Sequence, residues 1–120
     1  MKKQMRLLLA AFAATLWLVP AMAQDGHIGQ GHDTWHQSFY MTLQRPGGKG
    51  SCCNLNDCRP TSGRQEDGDY QVKVNGAWVK VPASKIIPKS APDGGFHVCA
   101  PDPFNGDPER LYCVIVAPEG

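Results

Sequence analysis

The sequence predicts a small α+β domain: one N-terminal amphipathic helix followed by an antiparallel sheet of four to five short strands, the whole stapled by disulfides. Three observations carry this. Trp35, Phe39 and Leu43 recur at i, i+4 and i+8, the spacing of one helix face. Residues 70–81 alternate apolar and polar about Asn75-Gly76, the pattern of a β-hairpin. Five cysteines sit in a chain of only 120 residues, where cross-links would supplement a modest core.

Residues 1–23 read as an export signal. Lys2, Lys3 and Arg6 form a basic start, residues 7–19 an apolar run ended by Pro20, and Ala21-Met22-Ala23 a small-residue cleavage site. The run falls short of the about 20 apolar residues that a membrane span needs. No cysteine follows the cleavage point, so no lipid anchor is expected there. The exported form loses three of the twelve basic residues and none of the eleven acidic ones, leaving nine against eleven and a net charge of −2. That balance offers no electrostatic case for nucleic acid or for an anionic membrane.

Residues 24–32 are polar and aperiodic and read as a flexible leader, so the domain itself is expected over 33–120. Asp33 or Thr34 suits a helix N-cap, and Thr34 followed three residues later by Gln37 matches a capping box. Arg45-Pro46-Gly47-Gly48 stops the helix, giving an expected span of about 34–44. Residues 61–68 read as a polar connection. Tyr70, Val72 and Val74, then Ala77, Val79 and Val81, form the two arms of the hairpin. Lys85-Ile86-Ile87, between prolines, reads as a short edge strand. Residues 96–99 and 111–116 read as two further strands joined by a turn-rich loop.

The cysteines are expected first as disulfide formers. Cys52, Cys53 and Cys58 cluster, while Cys99 and Cys113 lie far downstream. An odd number leaves one thiol over, and the favoured arrangement sends two of the clustered cysteines to Cys99 and Cys113. A link such as Cys58–Cys99 closes a loop worth roughly 4 kcal/mol in the chain-entropy model. The Cys-x-x-Cys spacing of thiol oxidoreductases is absent, and Asp57 beside Cys58 opposes thiolate formation.

A metal reading draws on the histidines. His32 and His36 are four apart, which puts two ligands on one helix face, although the capping box leaves His32 just outside the helix. His97 and Cys99 share one side of a strand, and with His36 they make the alternative copper or zinc set His36, His97, Cys99. The Asp102–Glu109 region departs from the calcium-loop pattern, and residues 46–51 lack the spacing of a phosphate loop. No hydrolase elbow, zincin motif or dinucleotide fingerprint occurs, so no cofactor is expected.

The order Trp35…Tyr40, Cys52-Cys53-x4-Cys58-Arg59-Pro60, Trp78-Val79-x-Val81-Pro82, Pro92-Asp93-Gly94…His97-Val98-Cys99 and Tyr112-Cys113 resembles small exported cysteine-containing proteins of Gram-negative bacteria, largely alphaproteobacterial. The resemblance implies export and a shared cysteine framework, and brings no activity, cofactor or partner with it. The expected function is a non-catalytic periplasmic or secreted module that binds an envelope ligand or protein. If Val79 and Val81 face the core, Trp78 faces out and becomes the expected partner contact. The alternative is a periplasmic metal-binding protein using His36, His97 and a free cysteine.

Overall fold

A computed structural model of the chain describes residues 24–118. The expected export signal at 1–23 lies outside the described residues. Among those described, no helix is long and apolar enough to cross a membrane.

Among the described residues, six strands form two three-stranded antiparallel sheets. They are β1 (Cys58–Thr61), β2 (Gly63–Glu66), β3 (Asp69–Val74), β4 (Ala77–Lys80), β5 (Phe96–Cys99) and β6 (Cys113–Ile115). The first sheet has the order β1-β5-β6 and the second β2-β3-β4. Only Ser62 separates β1 from β2, so the chain passes there from one sheet to the other. Gly63 makes the passage possible: a Cβ at this position would lie 2.2 Å from Cδ1 of the Phe96 ring.

The β3–β4 hairpin forms as its sequence dictates. Asn75 and Gly76 take φ of 51° and 81°, the left-handed pair that a type I′ turn requires. Val72 pairs with Val79 on the buried face and Lys73 with Trp78 on the other. Trp78 is therefore turned outward, and the Arg64 guanidinium covers its ring at 4.0 Å.

The β1-β5-β6 sheet is buried on both faces, because successive side chains on a strand point to opposite sides. Cys58, Cys99, Cys113 and Ile115 pack with Phe39, Tyr40, Leu43 and Ile87 on one side. Val98, Ala100 and Val114 pack with Val72, Val74, Val79, Val81 and Leu111 on the other. The molecule thus has three layers: the N-terminal turns, the cysteine-bearing sheet and the hairpin sheet.

Cys58, Cys99 and Cys113 lie in register across the first sheet. Cys58 bonds to Cys99, Cys113 bonds to Cys52, and Cys53 is the free thiol. The loops closed are 41 and 61 residues long. Taken singly, each is worth about 4 kcal/mol in the chain-entropy model, a large share of a small domain's stability.

Three expectations change. The amphipathic helix over 34–44 does not form: α1 (His32–Trp35) is a single turn, and a separate 3₁₀ turn covers Tyr40–Thr42. Between them Phe39 takes φ −133° and ψ −60°, and Met41 N–H bonds to the His36 carbonyl instead of continuing the helical ladder. An isolated helix of this length is marginal in water, so tertiary contacts decide its shape. Here Tyr40 is drawn to His97 on β5, and Leu43 accepts from Cys52 N–H. The single sheet becomes two, because β1 and β2 come from residues with weak strand patterns. The edge strand at 85–87 reduces to one parallel bridge between Ile86 and Val114.

Residues 24–32, read in sequence as a flexible leader, are tied to the domain at both ends, by residues 24–26 and by His32. Gln24, Asp25 and Gly26 carbonyls accept from Ser62, Gly76 and Asn75 N–H groups. The buried Arg59 guanidinium donates to the Gly26, Asp57 and Ala100 carbonyls at 2.9, 2.7 and 3.3 Å.

Candidate metal centre

The single helical turn and its C-cap carry the first two candidate ligands, His32 and His36. Gly31, at φ 69°, caps α1 two residues ahead of Asp33 and three ahead of Thr34, the expected caps, so His32 lies inside the helix and not before it. His32 and His36 therefore point to one side, as residues four apart on a helical turn do. The 44–51 loop folds back through a Gln44–Ser51 bridge, and the Cys52–Cys113 disulfide pins its end to the sheet. Those constraints bring the neighbouring Cys53 to the two imidazoles. One ligand atom from each of His32, His36 and Cys53 falls within 4.8 Å of the others.

Hydrogen bonds orient each ring and select its tautomer. His32 Nδ1 lies 2.5 Å from the Cys58 carbonyl, which only accepts, so Nδ1–H donates and Nε2 keeps its lone pair. That lone pair meets His36 Nδ1 at 2.7 Å. A carbonyl that orients an imidazole from behind is the usual support of a metal-ligating histidine. Tyr40 stacks on His32 with ring centroids 5.3 Å apart and holds it from the side.

A tetrahedral ion with metal–nitrogen bonds of about 2.0 Å and a metal–sulfur bond of about 2.3 Å holds its ligand atoms roughly 3.3–3.5 Å apart. The cluster brackets that spacing, with the two nitrogens closer and the sulfur within reach. Binding through both facing nitrogens parts them from their 2.7 Å contact and moves the His36 proton to its outer nitrogen. Burial pushes the Cys53 thiol up, and the nearby Asp57 carboxylate adds to the shift. Burial likewise pushes Asp57 up, with His32 among the groups pulling it back. A cation at this position would relieve both, because it favours the thiolate and sits beside the carboxylate.

The set predicted from sequence does not assemble. Cys99 is spent in the Cys58–Cys99 disulfide and offers no thiolate. His97 uses both nitrogens: Nδ1 accepts from Tyr40 O–H at 2.7 Å, and Nε2–H donates to Asp93 Oδ1 at 2.8 Å. Burial pushes the Asp93 carboxyl up, but the His97 and Gly95 N–H donors outweigh it and hold the group below its usual range. Tyr40 is pushed far above the usual phenol range, by burial first and then by Asp93 and Cys53. Asp93, His97 and Tyr40 have the order of a carboxylate–imidazole–hydroxyl relay, yet Tyr40 and His97 are 0% exposed. No substrate reaches that hydroxyl; the chain is a buried polar brace. Of the sequence-derived ligands His36 stays in the site, and the free cysteine is Cys53 and not Cys99. Cys53 was one of three equivalent choices for the odd cysteine, and His32 was set aside by the capping box.

No family model, curated protein or solved structure matches this chain.

Proposed function

We propose that this protein is an exported, non-catalytic domain that binds one soft transition-metal ion, copper(I) or zinc(II), through His32, His36 and Cys53. The carrying observation is the convergence of two imidazoles and the free thiol within 4.8 Å. One thiolate with two imidazoles suits these two ions better than magnesium or calcium, which prefer oxygen ligands. The disulfides support the exported setting, since bridges of this kind persist in oxidising compartments. They also leave Cys53 as the one titratable sulfur among the described cysteines.

The test is elemental analysis of oxidised protein after exposure to zinc(II), or to copper(I) under anaerobic conditions, followed by dialysis against a weak chelator. The proposal expects about one ion per chain, lost in His36→Ala and in Cys53→Ser and kept in His27→Ala. Retention of the ion by Cys53→Ser would remove the thiol from the site and the reading with it.

A further inference from the structure

One cavity shares no residue with the metal cluster. It has a volume of about 270 Å³ and opens between the 45–49 loop, the 84–85 turn and the 109–112 segment. Its lining includes two apolar side chains, Leu111, which is buried, and Tyr112, which is half-buried. Its walls carry Arg45, Lys49, Lys85 and Arg110 against one carboxylate, Glu109.

The distribution of charge makes this cavity unusual for the chain. Nine basic residues follow position 23, in a segment whose net charge is negative. The other five are engaged elsewhere: Arg64, Lys73 and Lys80 are ion-paired with Glu66, Asp25 and Asp69, Arg59 is buried on backbone carbonyls, and Lys89 donates to Thr42 Oγ1. Among the described residues, none of the four cavity cations is ion-paired with a carboxylate. Arg45 is also held in place, its Nε donating to the Ser51 carbonyl at 3.0 Å and its guanidinium lying 4.1 Å over the Tyr112 ring. Four like charges around one concavity repel each other unless an anion enters, and a low-dielectric wall focuses their field inward.

We infer that this cavity binds a small organic anion, with a carboxylate or phosphate-monoester headgroup on the cations and an apolar body on Leu111 and Tyr112. Arginine forks recognise both headgroups through paired hydrogen bonds, and an aromatic side chain in the lining suits a flat apolar body.

The test is an amide-shift NMR titration of the oxidised full chain with phenyl phosphate, benzoate, inorganic phosphate and benzyl alcohol. The inference expects saturable shifts at residues 109–112 with at least one of the two phenyl anions, at an affinity above that of inorganic phosphate or benzyl alcohol. Arg110→Gln and Lys85→Gln each weaken that binding by about tenfold, the scale of one charge-assisted hydrogen bond. Lys80→Gln, whose lysine is paired on the hairpin, changes it less than twofold. Cys53→Ser also leaves it unchanged, which separates this site from the metal centre. Absence of saturable binding with both phenyl anions, equal affinity for inorganic phosphate, or indifference to Arg110→Gln would each overturn the inference.

Discussion

Replacing Tyr40 by Phe tests the brace on which the candidate site rests. The change keeps the ring, its packing in the cysteine-side core and its stacking on His32, and removes only the hydroxyl. That hydroxyl is the donor to His97 Nδ1 at 2.7 Å, and both residues are fully buried. His97 cannot recover the bond by switching tautomer, because Asp93 accepts at its other nitrogen. Nδ1 is then left buried without a partner, at a cost of about 1–3 kcal/mol, and no cavity of note adds to it. With a urea dependence of about 1.5 kcal/mol/M for a domain of this size, a 2 kcal/mol loss moves the unfolding midpoint down by roughly 1 M. Urea unfolding under oxidising conditions, followed by tryptophan fluorescence, reads this directly. Because the stacking ring remains, metal stoichiometry should be unchanged. A midpoint shift below about 0.3 M would show that the phenol does not hold the buried imidazole, and the brace would have to be abandoned.

Other consequences are equally specific. Gly26→Ala should be more damaging than an ordinary surface change, by about 2 kcal/mol or more. The position has φ +67°, and a Cβ there would lie 2.1 Å from the Lys73 carbonyl oxygen. Thermal unfolding checks it, and a wild-type midpoint would mean that residues 24–31 are not docked. Gly63→Ala should cost about 1–3 kcal/mol, because Phe96 must leave its place beside the sheet crossing; near-UV circular dichroism would report the loss of ring packing. Asp93 has a folded pKa below its unfolded value, so its contribution is present above about pH 4 and is lost as pH falls through the depressed folded value. Stability of Asp93→Asn should therefore fall less than that of the wild type between pH 5 and pH 2. An identical acid profile for the two proteins would contradict the sign.

How much of this was legible depends on where the physics is local. The hairpin was readable because its turn is set by two adjacent residues, and its faces by strict alternation from Tyr70 to Val81. The β5 strand was readable from His97-Val98-Cys99, and the return of two clustered cysteines to Cys99 and Cys113 followed from their separation. β1 was hidden, since a strand buried on both faces shows no alternation, and Arg59-Pro60 looks like neither strand nor core. Arg59 is tolerated there because the nearby Asp57 carbonyl and the distant Gly26 and Ala100 carbonyls accept from it, and no local pattern encodes the distant two. The helix was overread for the complementary reason. Phe39, Tyr40 and Leu43 do face the core, but they reach it through two short turns, because His32 and Tyr40 are tied to partners 26 and 57 residues away. The metal candidate suffered from the same nonlocality: His36 was found, whereas His97 and Cys99 are taken up by the buried brace and the disulfide. Cys53 became identifiable only once the other four cysteines were paired.

The central claim is that Cys53 and the two histidines share one ion, and cobalt(II) substitution tests it most directly. Cobalt(II) replaces zinc in such sites, and a bound thiolate gives it an intense sulfur-to-metal charge-transfer band. Titration of the oxidised protein should raise that band to saturation at one cobalt per chain, with zinc abolishing it by competition. The band should vanish in Cys53→Ser and weaken strongly in His36→Ala. A titration with no thiolate band, or a band that persists without Cys53, would contradict the account.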